Sequence, residues 1–193
     1  MTEHDRGPRR SADPDELAAR IERIESRQQI GDLLLHYCMA CDDRDIEALV
    51  GCYAADGYFV SSDRRTVGHD AMRRQFTARL ADFGPTYHVI HGAVVEFTGP
   101  ETAAGTVLAH AEHMVDRGIV LAAHRYVDAY TRVDGRWLLQ SREAKFYYVV
   151  PAEELATMDP RQPRRRWPGA EPQPADLPES LESYRHFLAG GPS

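Results

Sequence analysis

The residue pattern predicts an α+β fold in which one mostly antiparallel sheet carries its helices on one face, and three observations predict it. Helical periodicity fills the chain up to about residue 84. Four long β-rich stretches follow, over 86–98, 103–116, 119–132 and 136–149. The connections between these stretches are short, which antiparallel neighbours tolerate and a doubly wound parallel sheet does not.

Residues 1–13 are polar, proline-containing and aperiodic, the composition of a disordered lead. From Leu17 the apolar positions Leu17, Ile21, Ile24, Ile30, Leu34, Tyr37 and Cys41 recur at helical spacing, so a long amphipathic helix is expected from near Asp15 to near Asp42. A second helix fits 44–54, capped by Asp42 or Asp43, with Ile46, Leu49, Val50 and Tyr53 as its apolar face. Tyr58-Phe59-Val60 makes a short strand. Gly68-His69-Asp70 opens a third helix with Met72, Phe76 and Leu80 on one face, and Gly84-Pro85 stops it. Beyond Pro151 prolines are too frequent for regular structure, although Leu181, Tyr184 and Leu188 fit a short terminal helix that would cover a pocket mouth, touch a neighbouring subunit or hang loose. The organisation is thus one domain over 14–150 with a proline-rich extension over 151–193.

A length of 193 residues, 42% hydrophobic and 27% charged, suits a single globular domain. No apolar run approaches the roughly 18 residues a bilayer span needs. No apolar stretch follows the basic clusters at the start, so a cytoplasmic location is expected. A net charge of -7 disfavours nucleic acid as a partner, and Arg164-Arg165-Arg166, set among prolines, reads as a solvated loop or flexible contact. Cys38, Cys41 and Cys52 lack the second pair a zinc site requires and read as reduced, buried small hydrophobes. His110-Ala-Glu-His113 alternates across a strand and is not a helix-borne metal motif, so no metal is expected. Val95, Phe97, Leu108 and Met114, read as outer sheet positions, predict a homo-oligomer, dimer or trimer.

The last hairpin turns at Val133-Asp134-Gly135 as a three-residue loop or at Asp134-Gly135 as a two-residue turn. The three-residue choice sets Arg125 opposite Glu143 and Tyr126 opposite Arg142, and the ion pair favours it. His124, Tyr126 and Arg142 then share one face with Ala122 and Ala144, as a cavity lining or as an exposed polar face. His88 and His91 fall on opposite faces unless a bulge intervenes. One of them is a candidate base, since an imidazole titrates near working pH; a strand histidine taken alone is more often a packing residue. Asp42, five residues after Tyr37 at the end of the first helix, is placed either to cap that helix or to orient an imidazole.

The ordered segments HYCMACDD, LVGCYAADGYFV, VGHDAM, TYHVIHGAVVEF and YVDAYTRVDGRWLLQSREAKFYY resemble, over roughly residues 15–150, the SnoaL-like family of the nuclear transport factor 2-like superfamily. Within it they are most similar to the scytalone dehydratase, bile-acid 7α-dehydratase and hexachlorocyclohexane dehydrochlorinase groups. The resemblance implies a cone-shaped α+β barrel, a curved sheet wrapped around the N-terminal helices and enclosing a pocket. It implies a cofactor-independent lyase acting on a small hydrophobic or polycyclic substrate, with His88 and Asp42 as a catalytic dyad, and Arg142 and Tyr37 assisting. Tyr58, His113, His124, Tyr126 and Phe146 become substrate-binding candidates, His110 being the alternative to His113. The superfamily also contains polyketide cyclases, isomerases and non-catalytic binding modules, which stand as the other readings.

Overall fold

The computed structural model describes residues 13–61, 64–116 and 118–190. The expected disordered lead lies outside the described residues except Asp13, whose carboxylate accepts from the Asp15 N–H at 3.1 Å and caps the first helix. That helix, α1, spans Pro14–Asp42; α2 spans Ile46–Gly51; β1, Tyr53–Ser61; β2, Arg64–Val67; α3, His69–Ala81. The long strands are β3 (Thr86–Phe97), β4 (Thr102–Val115), β5 (Gly118–Val133) and β6 (Arg136–Pro151). A 3-10 turn over Ala152–Thr157 and helix α4, Glu182–Leu188, follow. The expected α+β class is what the chain adopts, with six strands ordered β2-β1-β6-β5-β4-β3 in a curved, unclosed sheet, antiparallel except where β1 meets β6.

α1 packs on β3 and β6, while α3 packs on β1 and β2. Ile30, Leu34 and Tyr37 from α1, Leu49 from α2, Met72 from α3, and Val107, Leu139 and Val149 from the sheet fill the space between. Each fully buried aliphatic side chain contributes roughly 1.5–3 kcal/mol relative to exposure. Leu17, Ile21 and Ile24, expected on the packed face, are exposed. Burial of α1 begins only at Ser26, so its first turns have no apolar layer to meet. Among the described residues no helix is long and apolar enough to cross a membrane.

Four local expectations are corrected. The second helix is six residues rather than eleven, because Arg44 takes a left-handed conformation at φ 62° and Asp45, not Asp42 or Asp43, caps it through the Ala48 N–H at 2.9 Å. Tyr53 begins a nine-residue strand instead of ending that helix. The last hairpin uses the two-residue turn, with Val133 opposite Arg136, and a bulge on β6 then carries Arg142 opposite Asp128. Glu143 accordingly pairs with Lys145 at 2.9 Å, not with Arg125. Finally, a bulge at His91, between Ile90 and Gly92, reverses the alternation of β3, so Val95 is buried and Phe97 packs inward against Trp137. Of the four expected outer positions, only Leu108 and Met114 are exposed.

The extension is more ordered than its prolines suggest. Arg165 forms an isolated bridge beside Val149, the Phe146 carbonyl accepts from the Asp176 and Leu177 N–H groups, and the Phe146 N–H donates to the Asp176 carboxylate, so the tail covers the edge of β6 that β1 leaves free. The arginine run is not a solvated loop: Arg164 pairs with Glu179 at 2.8 Å, Arg165 with Asp176 at 3.0 Å, and Arg166 with Glu154. α4 does not bury its apolar residues; Phe187 and Leu188 stay exposed.

Candidate active site

The C-terminal end of α1 abuts the start of β3. There the Asp42 carboxylate accepts three hydrogen bonds, from the His88 ring at Nδ1 (2.6 Å), the His88 backbone N–H (2.8 Å) and the Thr86 hydroxyl (2.8 Å). Arg44 completes the corner by donating to the Thr86 hydroxyl and to the Cys41 carbonyl, both at 2.8 Å. Burial alone would raise the Asp42 pKa, but the bonds from His88 and Thr86 outweigh it and hold the carboxyl below its usual value. An ionised carboxylate can only accept, so Nδ1 of His88 presents a proton to Asp42, and in the neutral ring the lone pair then lies on Nε2. Asp42 is therefore positioned to orient an imidazole, and the C-cap of α1 is its neighbour Asp43.

His88 lines a cavity of about 800 Å³ between the concave sheet face and α3. Tyr37, Phe59, His113, His124, Tyr126 and Phe146 also line it. His113 and His124 are 6% and 4% exposed, and burial first, with the like charge of a His88 imidazolium and of Arg79 or Arg142 adding to it, pushes each imidazole down to about 3. They are neutral at working pH. Among the described residues neither nitrogen of His124 and not the Nδ1 of His113 has a hydrogen-bond partner. Such orphaned groups cost about 1–3 kcal/mol each, which a ligand with matching polar atoms would recover. His110 points to the opposite face and stacks on His91, with ring nitrogens 2.8 Å apart.

Arg142 is not on the cavity wall. It is wholly buried, its Nε and Nη2 donating to the two oxygens of Asp128 at 2.9 and 2.7 Å, and its guanidinium lies over the rings of Tyr37 and Tyr126 at 4.3 and 4.1 Å. Burial opposes its charge, yet Asp128 more than compensates and holds it above its ordinary value. The expected approach of Arg142 to a substrate is thus replaced by support of two tyrosine rings. Gly105, opposite Asp128, makes this packing possible: a Cβ there would stand 3.0 Å from the Tyr130 ring, whose hydroxyl donates to Asp128 at 2.8 Å. Tyr58 is likewise displaced. It sits beside Ser141, while its neighbour Phe59 sits beside Arg142 on the cavity side, and Arg65 covers its ring at 3.6 Å.

Sequence reasoning missed Asp128, Thr86 and Trp167. Trp167 reaches the cavity from the tail, with ring contacts to Phe83, His113 and Phe146 at 5.9, 5.3 and 5.6 Å. Asp128 carried a usable signal, an acidic residue on an otherwise apolar alternating face shared with His124 and Tyr126. The three cysteines are buried and free, and burial pushes their thiols up to about 11 (Cys38, Cys52) and 12 (Cys41).

Residues 22–143 match the model of the SnoaL-like domain. Solved structures share the architecture. A scytalone-dehydratase-like protein from Novosphingobium aromaticivorans DSM 12444 is 18% identical with a TM-score of 0.65, covering 68% of this chain and 91% of that one. Hexachlorocyclohexane dehydrochlorinase LinA-type3 from Novosphingobium barchaimii LL02 is 19% identical with a TM-score of 0.64, over 68% and 93%. A single-site variant of Rv3472, a protein of unknown function from Mycobacterium tuberculosis, is 20% identical with a TM-score of 0.60, over 76% and 82%. Among curated proteins none matches. At these identities the likeness establishes the cone-shaped fold.

Proposed function

The chain belongs to the SnoaL-like domain family, and from that footing we propose that it is a cofactor-independent acid/base lyase of the dehydratase or dehydrohalogenase type. The observation that carries the reading is the 2.6 Å contact between Asp42 and His88 on the wall of the cavity. Nε2 of His88 removes a proton from a substrate carbon, and the electrons of that C–H bond form the new C=C bond. The leaving group departs with the electrons of its own bond, a halide as the anion, a hydroxide protonated by Tyr37 or by the imidazolium. Asp42 stabilises the imidazolium that forms. Arg142 assists from behind, its positive charge lying against the Tyr37 and Tyr126 rings. His113 through its Nδ1 and His124 through its ring nitrogens, both imidazoles neutral, hydrogen-bond polar atoms of the substrate.

The names of the structural neighbours, a dehydrochlorinase and a dehydratase-like protein, support the same reaction class. A non-catalytic binding module has no need of an imidazole oriented through Nδ1 by a carboxylate that two further hydrogen bonds, from the His88 backbone N–H and the Thr86 hydroxyl, hold in place. Incubation of candidate cyclic alcohols and halides in deuterated water, followed by mass spectrometry, tests the chemistry. Loss of water or halide is expected, whereas an isobaric product with exchanged hydrogen would reassign the site to isomerisation or cyclisation. His88→Ala is expected to lower turnover by about 10² to 10⁴-fold with the fold intact. Undiminished turnover would reject the mechanism. The exposed outer-face residues Leu108 and Met114, with Val94 and Val127 beside them, support self-association of the chain, which sedimentation would read directly.

A further inference from the structure

The interior and the mouth of the cavity differ in charge. Inside are aromatic rings, alanines and the neutral His113 and His124; at the mouth are Arg64 and Arg65 from β2, the latter with its guanidinium turned onto the Tyr58 ring, and Arg74 and Arg79 from α3, with Asp82 the one acid among the described lining residues. Beside the buried Phe76 and Leu80 the helix contributes Ala71, Arg74, Gln75, Ala78 and Arg79, a stripe at helical spacing that Asp82 continues just past its end. Its small residues leave room and its arginines overhang that room. Concentrating four arginines at one opening runs against a chain whose net charge is -7. Among the described residues Arg64, Arg65 and Arg74 pair with no carboxylate, whereas Arg73, on the neighbouring face of α3, is bound to Glu47 and Asp70.

Arg79 is the most constrained of the four. Its guanidinium lies over the rings of Phe83 and Trp167, 4.6 and 4.4 Å from their centroids, and it makes no hydrogen bond with the described residues. Asp82 approaches it only to 3.7 Å. A guanidinium fixed by its faces keeps its edge, and the N–H fork along that edge, available; that fork matches a planar carboxylate. The tail builds this arrangement, because Trp167 is held in place by the ion pairs of the arginines just before it.

We propose that the substrate is a hydrophobic ring system bearing a carboxylate, with the ring inside the cavity and the carboxylate held at its mouth by Arg79. Arg64, Arg65 and Arg74 supply the field that draws the anion in. The inference rests on the cavity being the substrate site, and it concerns recognition rather than the bond broken. It also explains orientation: an anchor at the mouth fixes which carbon faces His88 at the wall.

The test compares two probes of one shape, 2-naphthoate and 2-naphthamide, titrated calorimetrically into the full-length protein. The carboxylate is expected to bind about ten-fold tighter than the amide, with the preference shrinking as salt rises from about 50 to about 500 mM. Arg79→Gln should reduce the preference to within about two-fold, while Arg79→Lys, which keeps the charge without the fork, should retain part of it. Naphthoate binding no tighter than naphthamide, including binding of neither, overturns the proposal, as does an unchanged preference in Arg79→Gln. His88→Ala should keep the preference, so failure of the lyase reading and failure of this one are read separately.

Discussion

Two pairings of a carboxylate with a nitrogen base lie within the same cone and differ in what surrounds them. Asp42 and His88 keep 18% and 10% of their side chains accessible, whereas Asp128 and Arg142 keep none. In the first pair the carboxylate spends its lone pairs on Nδ1 and leaves Nε2 open to the cavity; in the second both carboxylate oxygens and two arms of the fork are consumed. Access, more than the presence of charge, separates a group that can take a proton from one that can only hold its neighbours in place. A buried pair is also weak evidence for stability, since removing two charges from water offsets most of their attraction.

Substitutions that break one pair at a time sharpen the contrast. Asp42→Asn should lower turnover by about 10³ to 10⁴-fold by freeing the imidazole tautomer, while chemical denaturation shows a loss of only about 1.5–3 kcal/mol. Asp128→Ala should do the reverse to stability, costing about 3–5 kcal/mol because Arg142 is left buried and uncompensated. The paired replacement Asp128→Leu with Arg142→Met should restore most of that loss.

Acid separates the sites further. His113 and His124 are held down to about 3, against an ordinary value near 6.5, so between these limits the unfolded chain binds two protons that the folded chain refuses. Stability therefore falls as pH drops through that window, by about 2.7 kcal/mol per pH unit from the two together. Denaturation at several pH values reads this slope, and His124→Asn should halve it. Asp42, whose carboxyl is depressed, stabilises the fold above its ordinary value and loses that contribution only at lower pH, as the folded-state carboxyl titrates. The smallest expected effect is that of Trp167→Ala, about 1–2 kcal/mol, since Trp167 is only partly buried; it should weaken binding of ring compounds while leaving the Asp42–His88 contact intact.

The periodicities were legible because they follow from geometry along the chain. α1, α3 and β3 to β6 lie within a few residues of the expected ranges, and their apolar spacing has no other solution. The hairpin shows how robust such periodicity is. The register expected around Arg142 was off by two residues, yet an even slip preserves which face a side chain occupies, so His124, Tyr126 and Arg142 still share one. An odd slip has the opposite consequence: the bulge at His91 turned Val95 and Phe97 from outer to inner positions.

By itself the sequence determined the layer order and the approximate ranges of the four long strands, because these depend on spacing; it left Asp42 between capping and orienting and left His88 beside His91, and the family resemblance chose between them. Only the tertiary structure decided that Asp128 claims Arg142, that Thr86 and Arg44 brace Asp42, and that Trp167 arrives from the tail to wall the cavity. Those contacts join residues whose meeting depends on bulges and on the path of a proline-rich segment. Neither leaves a periodic trace, since a bulge is a single extra residue and a tail is placed by what it lands on.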